Sequence, residues 1–143
     1  MSITIESKNR AIDIGYVGFR RIRVKVAELT APDIFEYYKK SMDGMQLYNK
    51  GERKAFYESY NAKIAELDKK YKGKMSDILD FLYESDCSAE MDADHCLSIY
   101  EVIKDYNDNT LYGYAGRKDC ARFSDFKKIV KDGIDSGDGF SWF

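Results

Sequence analysis

The sequence has few of the residues that usually mark a catalytic or metal-binding site. It contains one histidine, one proline and one tryptophan, and its three cysteines, Cys87, Cys96 and Cys120, have no paired spacing. Unpaired cysteines are typical of free thiols in a reducing compartment. No run of about 18 apolar residues could span a bilayer, and the first residues lack the apolar segment of a signal peptide. We therefore expect a cytoplasmic protein without a membrane segment.

Size and composition are those of an ordinary globular protein. The chain has 143 residues, of which 44% are apolar and 34% are charged. This balance allows a hydrophobic core that needs no metal or disulfide, so we expect one domain over residues 1–143. The net charge is only −2, but residues 1–72 carry 15 basic and 10 acidic side chains, whereas residues 73–143 carry 8 and 15. Such asymmetry can steer a charged partner or draw two faces of one domain together.

Apolar residues recur at spacings of three and four along most of the chain, which predicts helices. The segment 15–29 has such a stripe, although its β-branched residues also alternate with basic ones as in a strand. We favour the helix there. Pro32 fits the first turn of the next helix, and the stripe over 56–71 predicts the longest one. Asp92 can cap a further helix that places Cys96 on its buried side.

These segments predict a mainly α fold, a mixed bundle of five or six helices in one domain. Residues 3–5 alternate apolar and polar side chains, which is a weak strand signal. A short β-pair formed by the two termini is therefore left open. After the last helix, Phe140, Trp142 and Phe143 form an apolar tail.

Four carboxylates lie close together between two predicted helices: Asp86, Glu90, Asp92 and Asp94. We call this segment the acidic loop. A calcium-binding loop starting at Asp86 would place Met91 where a glycine is needed and would lack the final glutamate, so the calcium motif fails. The acidic loop is better suited to meet a basic groove on another protein.

The thiols and the histidine do not form a recognisable reactive motif. Cys87, His95, Cys96 and Cys120 are numerous enough for zinc, but no Cys-x-x-Cys or His-x-x-x-His pair is present. Cys87 or Cys120 with His95 is the one available pair of nucleophile and base, and nothing nearby supports it. We predict no metal, no cofactor and no catalytic residue.

A tyrosine-rich and glycine-rich turn is a second candidate for a binding site. Tyr112 and Tyr114 surround Gly113, and Arg117 follows Gly116. Two flat rings beside an arginine could hold the base and phosphate of a nucleotide. The alternative is a structured turn in which one of the tyrosines closes the core.

The densest basic group consists of Arg20, Arg21, Arg23 and Lys25. These side chains could contact phosphates or an acidic protein surface, or could form the solvated side of the first helix. Stable nucleic-acid binding usually needs a strongly basic domain. Because the isoelectric point of this chain is about 5.5, direct DNA or RNA binding is disfavoured.

The chain resembles small uncharacterised proteins of Gram-positive bacteria and their phages. The resemblance is carried by Asp13-Ile14-Gly15-Tyr16 with Phe19 and Arg23, Phe81-Leu82-Tyr83-Glu84-Ser85-Asp86-Cys87, Cys96-Leu97-Ser98-Ile99-Tyr100, Gly113-Tyr114-Ala115-Gly116 and the helix containing Phe126. Ser88-Ala89 after Cys87 departs from that pattern, which often has an aspartate there. The resemblance implies a phage or prophage setting and brings no assigned reaction.

The first functional hypothesis is a non-enzymatic interaction protein that binds a bacterial host protein and can inhibit it, as counter-defence or anti-CRISPR proteins do. In this hypothesis, the acidic loop steers association, and the tyrosine turn, which consists of Tyr112, Tyr114 and Arg117, anchors the contact. The host protein could be a nuclease or another defence factor. The alternative is a protein that sequesters a small nucleotide signal, and a thiol or metal enzyme ranks third. Homo-oligomerisation, and the viral or host side of any defence role, stay open.

Overall fold

The chain folds into helices packed around a small antiparallel sheet. The computed structural model describes residues 2–44, 50–70, 74–85, 87–106, 111–112 and 121–143, with backbone alone at 41–44, 50–53, 56–57, 68 and 74–76. Within these ranges the elements, in chain order, are β1 (Ser2–Ser7), β2 (Ala11–Gly15), α1 (Tyr16–Thr30), α2 (Pro32–Gly44), α3 (Lys50–Lys70), α4 (Lys74–Tyr83), β3 (Ala89–Met91), α5 (Ala93–Ile103), β4 (Leu111–Tyr112), β5 (Ala121–Arg122), α6 (Phe123–Ser136) and β6 (Phe140–Trp142).

The main sheet has four strands in the order β2-β1-β6-β3, and every neighbouring pair is antiparallel. The strand β6 therefore lies in the interior of the sheet. Phe140 and Trp142 point into the core, because side chains alternate between the two faces of a strand. The segment that the sequence predicted as an apolar tail is thus a central strand.

This sheet extends the predicted fold class. The mainly helical character is confirmed, and β1 does pair with β6, as the suggested β-pair of the termini required. However, β2 and β3 extend that pair, so the fold is mixed α/β and not purely α. A second, two-stranded sheet pairs β4 with β5.

The helix α1 settles the alternatives left open for residues 15–29 in favour of a helix. Phe19, Ile22 and Val26 are fully buried along one side of it, which matches the predicted stripe. The next helix, α2, begins at Pro32 as predicted, because proline needs no hydrogen-bonding N–H in the first turn. In the described parts of the chain, no helix combines the length and the apolar character needed to cross a bilayer.

Aromatic rings fill the core between the sheet and the helices. The ring of Phe81, in α4, lies at the centre of this group. Its centroid is 6.2 Å from that of Phe19, 5.7 Å from Phe126, 6.1 Å from Phe140 and 5.9 Å from Trp142. Edge-to-face and offset pairs at such distances add to the free energy gained from burial alone. These contacts join α1, α4, α6 and β6 into one core.

Arg23 is a buried charge inside that core, although the sequence predicted it on a basic surface. It is 1% exposed. Its guanidinium carbon lies 4.6 Å from the ring centroid of Phe19 and 5.1 Å from that of Trp142, and Nη1 donates to the carbonyl of Glu84 at 3.0 Å. The planar cation stacks on aromatic faces, so it is stabilised without contact with solvent.

Gly139 allows β6 to approach the start of α5 closely. Its φ angle is +70°, a conformation that L side chains rarely adopt. A Cβ atom at this position would also overlap the carbonyl oxygen of Met91. The glycine therefore lets the turn after α6 lie directly against the junction between β3 and α5.

Candidate functional site

The predicted acidic loop is divided between a strand and the beginning of a helix. Glu90 in β3 and Asp94 in the first turn of α5 are exposed. Asp92 is the N-cap of α5, since its Oδ1 accepts the backbone N–H of His95 at 2.9 Å, and this prediction is confirmed. Asp86 lies outside the described residues.

Glu90 has an acidic neighbour that the sequence did not indicate. Both Glu6 of β1 and Glu90 of β3 lie opposite Ser141 of the central strand β6. Strands are spaced at 4.7 to 4.9 Å, so the two glutamates belong to one row and their Cα atoms are about 10 Å apart. Because Phe140 and Trp142 face the core, this row lies on the outer face of the sheet.

An open cleft of about 530 Å³ lies beside the row formed by Glu6, Ser141 and Glu90. Its charged lining consists of Glu6, Lys8, Glu90, Asp92, His95 and Asp138. Carboxylates thus outnumber lysine four to one in the cleft. Among the described side chains, Glu6, Glu90 and Asp138 form no ion pair with a lysine or arginine. We call this region the acidic cleft, and its chemistry suits a cationic group.

A second cluster forms where α4 packs beside α5. Nε2 of His95 is 2.9 Å from Oδ2 of Asp80 and 3.6 Å from Oδ1 of Asp77. Nδ1 of the same ring is 2.7 Å from Oδ1 of Asp92. Asp77 and Asp80 are three residues apart on one side of α4, a spacing that brings helical side chains together. The other oxygen of Asp77 accepts a hydrogen bond from Ser98 at 2.5 Å.

These carboxylates change the protonation of the imidazole. Partial burial alone would lower the pKa of His95, but hydrogen bonds to Asp80 and Asp92 and the charge of Asp77 outweigh it and raise the pKa. The pKa of Asp92 is lowered, first by the backbone N–H of His95 and then by its ring. The cluster therefore stabilises positive charge at the position of the imidazole.

The same cluster has the donors of a metal site. One ring nitrogen of His95 and one oxygen each from Asp77 and Asp80 all lie within 4.8 Å of one another. No other group of three potential ligands occurs in the part of the chain that the structure describes. We call Asp77, Asp80 and His95 the His–Asp cluster.

The thiols considered for zinc or catalysis do not take part in this cluster. Cys96 is buried, and burial together with the charge of Asp92 raises the pKa of its thiol to about 12, which disfavours a reactive thiolate. Cys87 is exposed, and Cys120 lies outside the described residues. His95 already contacts carboxylates through both ring nitrogens.

Of the predicted tyrosine turn, Tyr112 is the residue that the structure describes. Tyr112 in β4 is 4% exposed, and the guanidinium of Arg21 lies 5.4 Å from its ring centroid. Its ring therefore offers no open face to a nucleotide base, which agrees with the alternative that a tyrosine closes the core. Tyr114 and Arg117 lie outside the described residues.

The predicted basic group is divided by the helical period of α1. Arg20 and Arg21 are exposed, whereas Arg23 is buried and does not belong to a surface patch. Lys25 is partly buried, and its ammonium pairs with Glu28 at 3.2 Å. Two exposed arginines are therefore what remains of a four-residue patch.

Sequence reasoning missed the His–Asp cluster although part of its signal was present. The spacing of three residues between Asp77 and Asp80 recurs between Asp92 and His95, but only the packing of α4 against α5 brings the two pairs together.

No protein-family model, curated protein or solved structure matches this chain, so the resemblance to small bacterial and phage proteins stays a prediction.

Proposed function

We propose that this chain is a non-enzymatic interaction protein that binds a basic surface of a bacterial host protein through the acidic cleft and the adjoining outer face of the sheet. The observation that carries the proposal is the row of Glu6 and Glu90 across β6, together with Asp138 and Asp92 around the same cleft. Surfaces of complementary charge speed association and select the correct partner.

The charge of this face supports the proposal more strongly than the acidic loop did alone. Glu6 and Asp138 come from opposite ends of the described chain and add to Glu90, so the fold concentrates carboxylates that are far apart in sequence. The outer face of the sheet also carries Asp13, which accepts a hydrogen bond from Thr4 at 2.7 Å. A partner with a lysine-rich or arginine-rich groove, such as a nuclease, has matching chemistry.

The resemblance to proteins of Gram-positive bacteria and their phages supports the choice of host. In that setting, a protein that covers the nucleic-acid groove of a defence nuclease would inhibit it. Inhibition is thus part of the proposal, with the host nuclease or defence factor as the partner class.

The alternative of a nucleotide-sequestering protein receives no support at Tyr112, because that ring is buried beneath Arg21. The other residues of that predicted nucleotide site are Tyr114 and Arg117, which lie outside the described residues. A thermal-shift screen with cyclic and linear nucleotides tests it, since a ligand at 100 times its dissociation constant stabilises the folded state by about 2.7 kcal/mol.

Charge reversal on the sheet face tests the interaction. The variant Glu6→Lys/Glu90→Lys removes the acidic row, and the matched control Glu36→Lys/Glu58→Lys makes the same change in net charge at exposed positions on α2 and α3. Each purified protein is used to capture partners from a lysate of Gram-positive cells. The captured protein is then produced separately, and its association rate and enzymatic activity are measured.

We expect the row variant to associate at least tenfold more slowly at low salt, and the control to behave as the wild type. The difference should shrink as ionic strength rises, because salt screens exposed charges. Equal association rates for the wild type and the row variant would contradict the proposal. So would a partner whose activity is unchanged when the complex forms.

A further inference from the structure

We propose that Asp77, Asp80 and His95 form a binding site for a first-row transition-metal dication, represented by Zn²⁺. This departs from the expectation of no metal drawn from the sequence. His95 lies at the edge of the acidic cleft, but Asp77 and Asp80 do not line it, so the metal site does not need the proposed partner.

The distances between the donor atoms fit a small, four-coordinate ion. Metal–ligand bonds of about 2.0 to 2.1 Å in a tetrahedron place neighbouring donor atoms about 3.3 Å apart. Nε2 of His95 is 2.9 Å from the Asp80 oxygen and 3.6 Å from the Asp77 oxygen, so the measured separations lie on either side of that value. All three donor atoms, including the oxygens of Asp77 and Asp80, lie within 4.8 Å of one another.

The residues around the donors hold them in the orientation that a metal needs. Asp92 contacts Nδ1 of His95, which keeps a proton on that nitrogen, so Nε2 is the ring atom that can bind the metal once its own proton has left. Ser98 donates to Oδ2 of Asp77 and thereby directs Oδ1 towards the imidazole. Such hydrogen bonds from outside the ligand set are usual around histidine and carboxylate ligands of metal ions.

The charge of the site also favours a dication. Three carboxylates surround one imidazole, so even a protonated ring leaves negative charge in excess. Among the side chains that the structure describes, no lysine or arginine pairs with Asp77 or Asp80. A metal ion would replace the proton that Nε2 shares with Asp80, and that proton would leave to solvent.

The donor set selects the class of metal. One imidazole nitrogen and two carboxylate oxygens suit borderline ions such as Zn²⁺ or Co²⁺, whereas Ca²⁺ takes six to eight oxygen ligands. The side chain of Asp80 is 57% exposed and that of His95 is 23% exposed, so one side of the cluster faces solvent. Water can therefore fill a remaining coordination position, as it does in open zinc sites.

The experiment measures metal binding directly by the full chain. Protein carrying Cys87→Ser/Cys120→Ser, which removes competing thiols, is freed of metal with a chelator and titrated with Zn²⁺ by calorimetry. Co²⁺ is added in parallel, because its visible spectrum reports the coordination geometry. Asp80→Asn and His95→Gln remove ligands, and Glu84→Gln is the matched control because it neutralises an exposed carboxylate just beyond the end of α4.

We expect one Zn²⁺ per chain in the parent protein and in the Glu84→Gln control. Affinity should fall at least tenfold in Asp80→Asn and in His95→Gln, and by about 10- to 100-fold in Asp92→Ala, which removes the oxygen that orients the histidine. Circular dichroism without metal checks that each variant is folded. If His95→Gln does not fold, the exposed Asp80→Asn variant decides the test alone.

Equal Zn²⁺ affinity in the parent, Asp80→Asn and Asp92→Ala would overturn the proposal, as would binding of Ca²⁺ or Mg²⁺ in preference to Zn²⁺. The partner-binding proposal is tested separately at Glu6 and Glu90, which are not ligands of the metal. Equal association rates for the wild type and the Glu6→Lys/Glu90→Lys variant would contradict that proposal and leave the metal proposal standing.

Discussion

Two cationic side chains of this protein lie in opposite surroundings. Arg23 is 1% exposed, and its guanidinium lies against the rings of Phe19, Phe81 and Trp142. His95 lies at the edge of two helices, and carboxylates contact both of its ring nitrogens. The aromatic faces and carbonyl oxygens around Arg23 hold its guanidinium in the core, where no other cation can replace it. A ring of carboxylates, by contrast, stabilises whichever cation occupies the position.

The comparison separates a structural role from a binding role. Arg23 joins α1 to the segment after α4, because its two guanidinium nitrogens donate to the carbonyls of Glu84 and Ser85 at 3.0 and 3.4 Å. Trp142 donates to the same Ser85 carbonyl at 2.9 Å. Substitutions at Arg23 should therefore reduce stability, whereas substitutions around His95 should mainly change what the site binds.

The largest effect is expected from Arg23→Ala. The variant loses the desolvated cation–π contacts and two hydrogen bonds, and the folded state no longer has to bury a charge, so we expect the free energy of unfolding to fall by about 3 to 5 kcal/mol. Urea denaturation followed by circular dichroism measures this change.

The matched control is Arg20→Ala, which removes an exposed arginine from the same helix. It should change the free energy of unfolding by no more than about 0.5 kcal/mol. Arg23→Lys keeps the charge but loses the planar contact with the rings, so its loss in free energy of unfolding should lie between those of Arg23→Ala and Arg20→Ala. If Arg23→Ala lowers the free energy of unfolding no more than Arg20→Ala does, Arg23 has no special role in stability, and the difference in role between Arg23 and His95 is wrong.

A smaller effect is expected at Asp92, on the other side of the comparison. Asp92→Ala removes the cap of α5 and should cost about 1 kcal/mol, whereas Asp92→Asn keeps an oxygen acceptor and should cost a few tenths. Chemical unfolding at neutral pH distinguishes the two. Equal losses in both variants would mean that the charge of Asp92, and not its capping hydrogen bond, supports the helix.

The smallest effect concerns Asp132, a carboxylate held mainly by neutral donors. Ser7 Oγ donates to it at 2.6 Å, and the side-chain amide and backbone N–H of Asn9 donate at 3.0 and 2.8 Å. These bonds, together with the charge of Arg10, lower its pKa from 3.8 to about 2. Because the folded-state pKa is the lower one, the resulting stability is fully present above pH 3.8 and is lost as the pH falls towards 2.

Carbon-13 NMR of the Asp132 carboxyl group measures this pKa. Ser7→Ala should raise it towards 3.8, whereas Ser2→Ala, an exposed position in the same strand, should leave it at about 2. A titration midpoint that does not move in Ser7→Ala would show that the hydroxyl is not the cause of the lowered pKa.

The helices were predictable because their signal is local. The stripe of α1, the proline that begins α2, the Asp92 cap and the buried position of Cys96 all depend on residues within one or two helical turns. The position of Arg23 was predictable from the same period, since it follows Phe19 by four residues and precedes Ala27 by four. Its charge led to the opposite prediction.

The sheet and the His–Asp cluster were not predictable in the same way. The strands β3 and β6 have three residues each, too few for a clear alternation, and each becomes a strand only by pairing with a distant segment. Two of the three carboxylates around His95, those of Asp77 and Asp80, likewise come from another helix. Both features depend on tertiary contacts that a pattern along the chain does not contain.

The position of β6 also affects the order in which the protein can fold during synthesis. Residues 140–142 lie between β1 and β3, and Trp142 contacts the ring of Phe19 in α1. The ribosome releases β1 and β3 long before the strand that joins them. The pairing of β1 with β2 can form early, but the sheet can join β1 to β3 only after residue 142 has emerged, and deleting residues 140–142 would remove the strand that connects them.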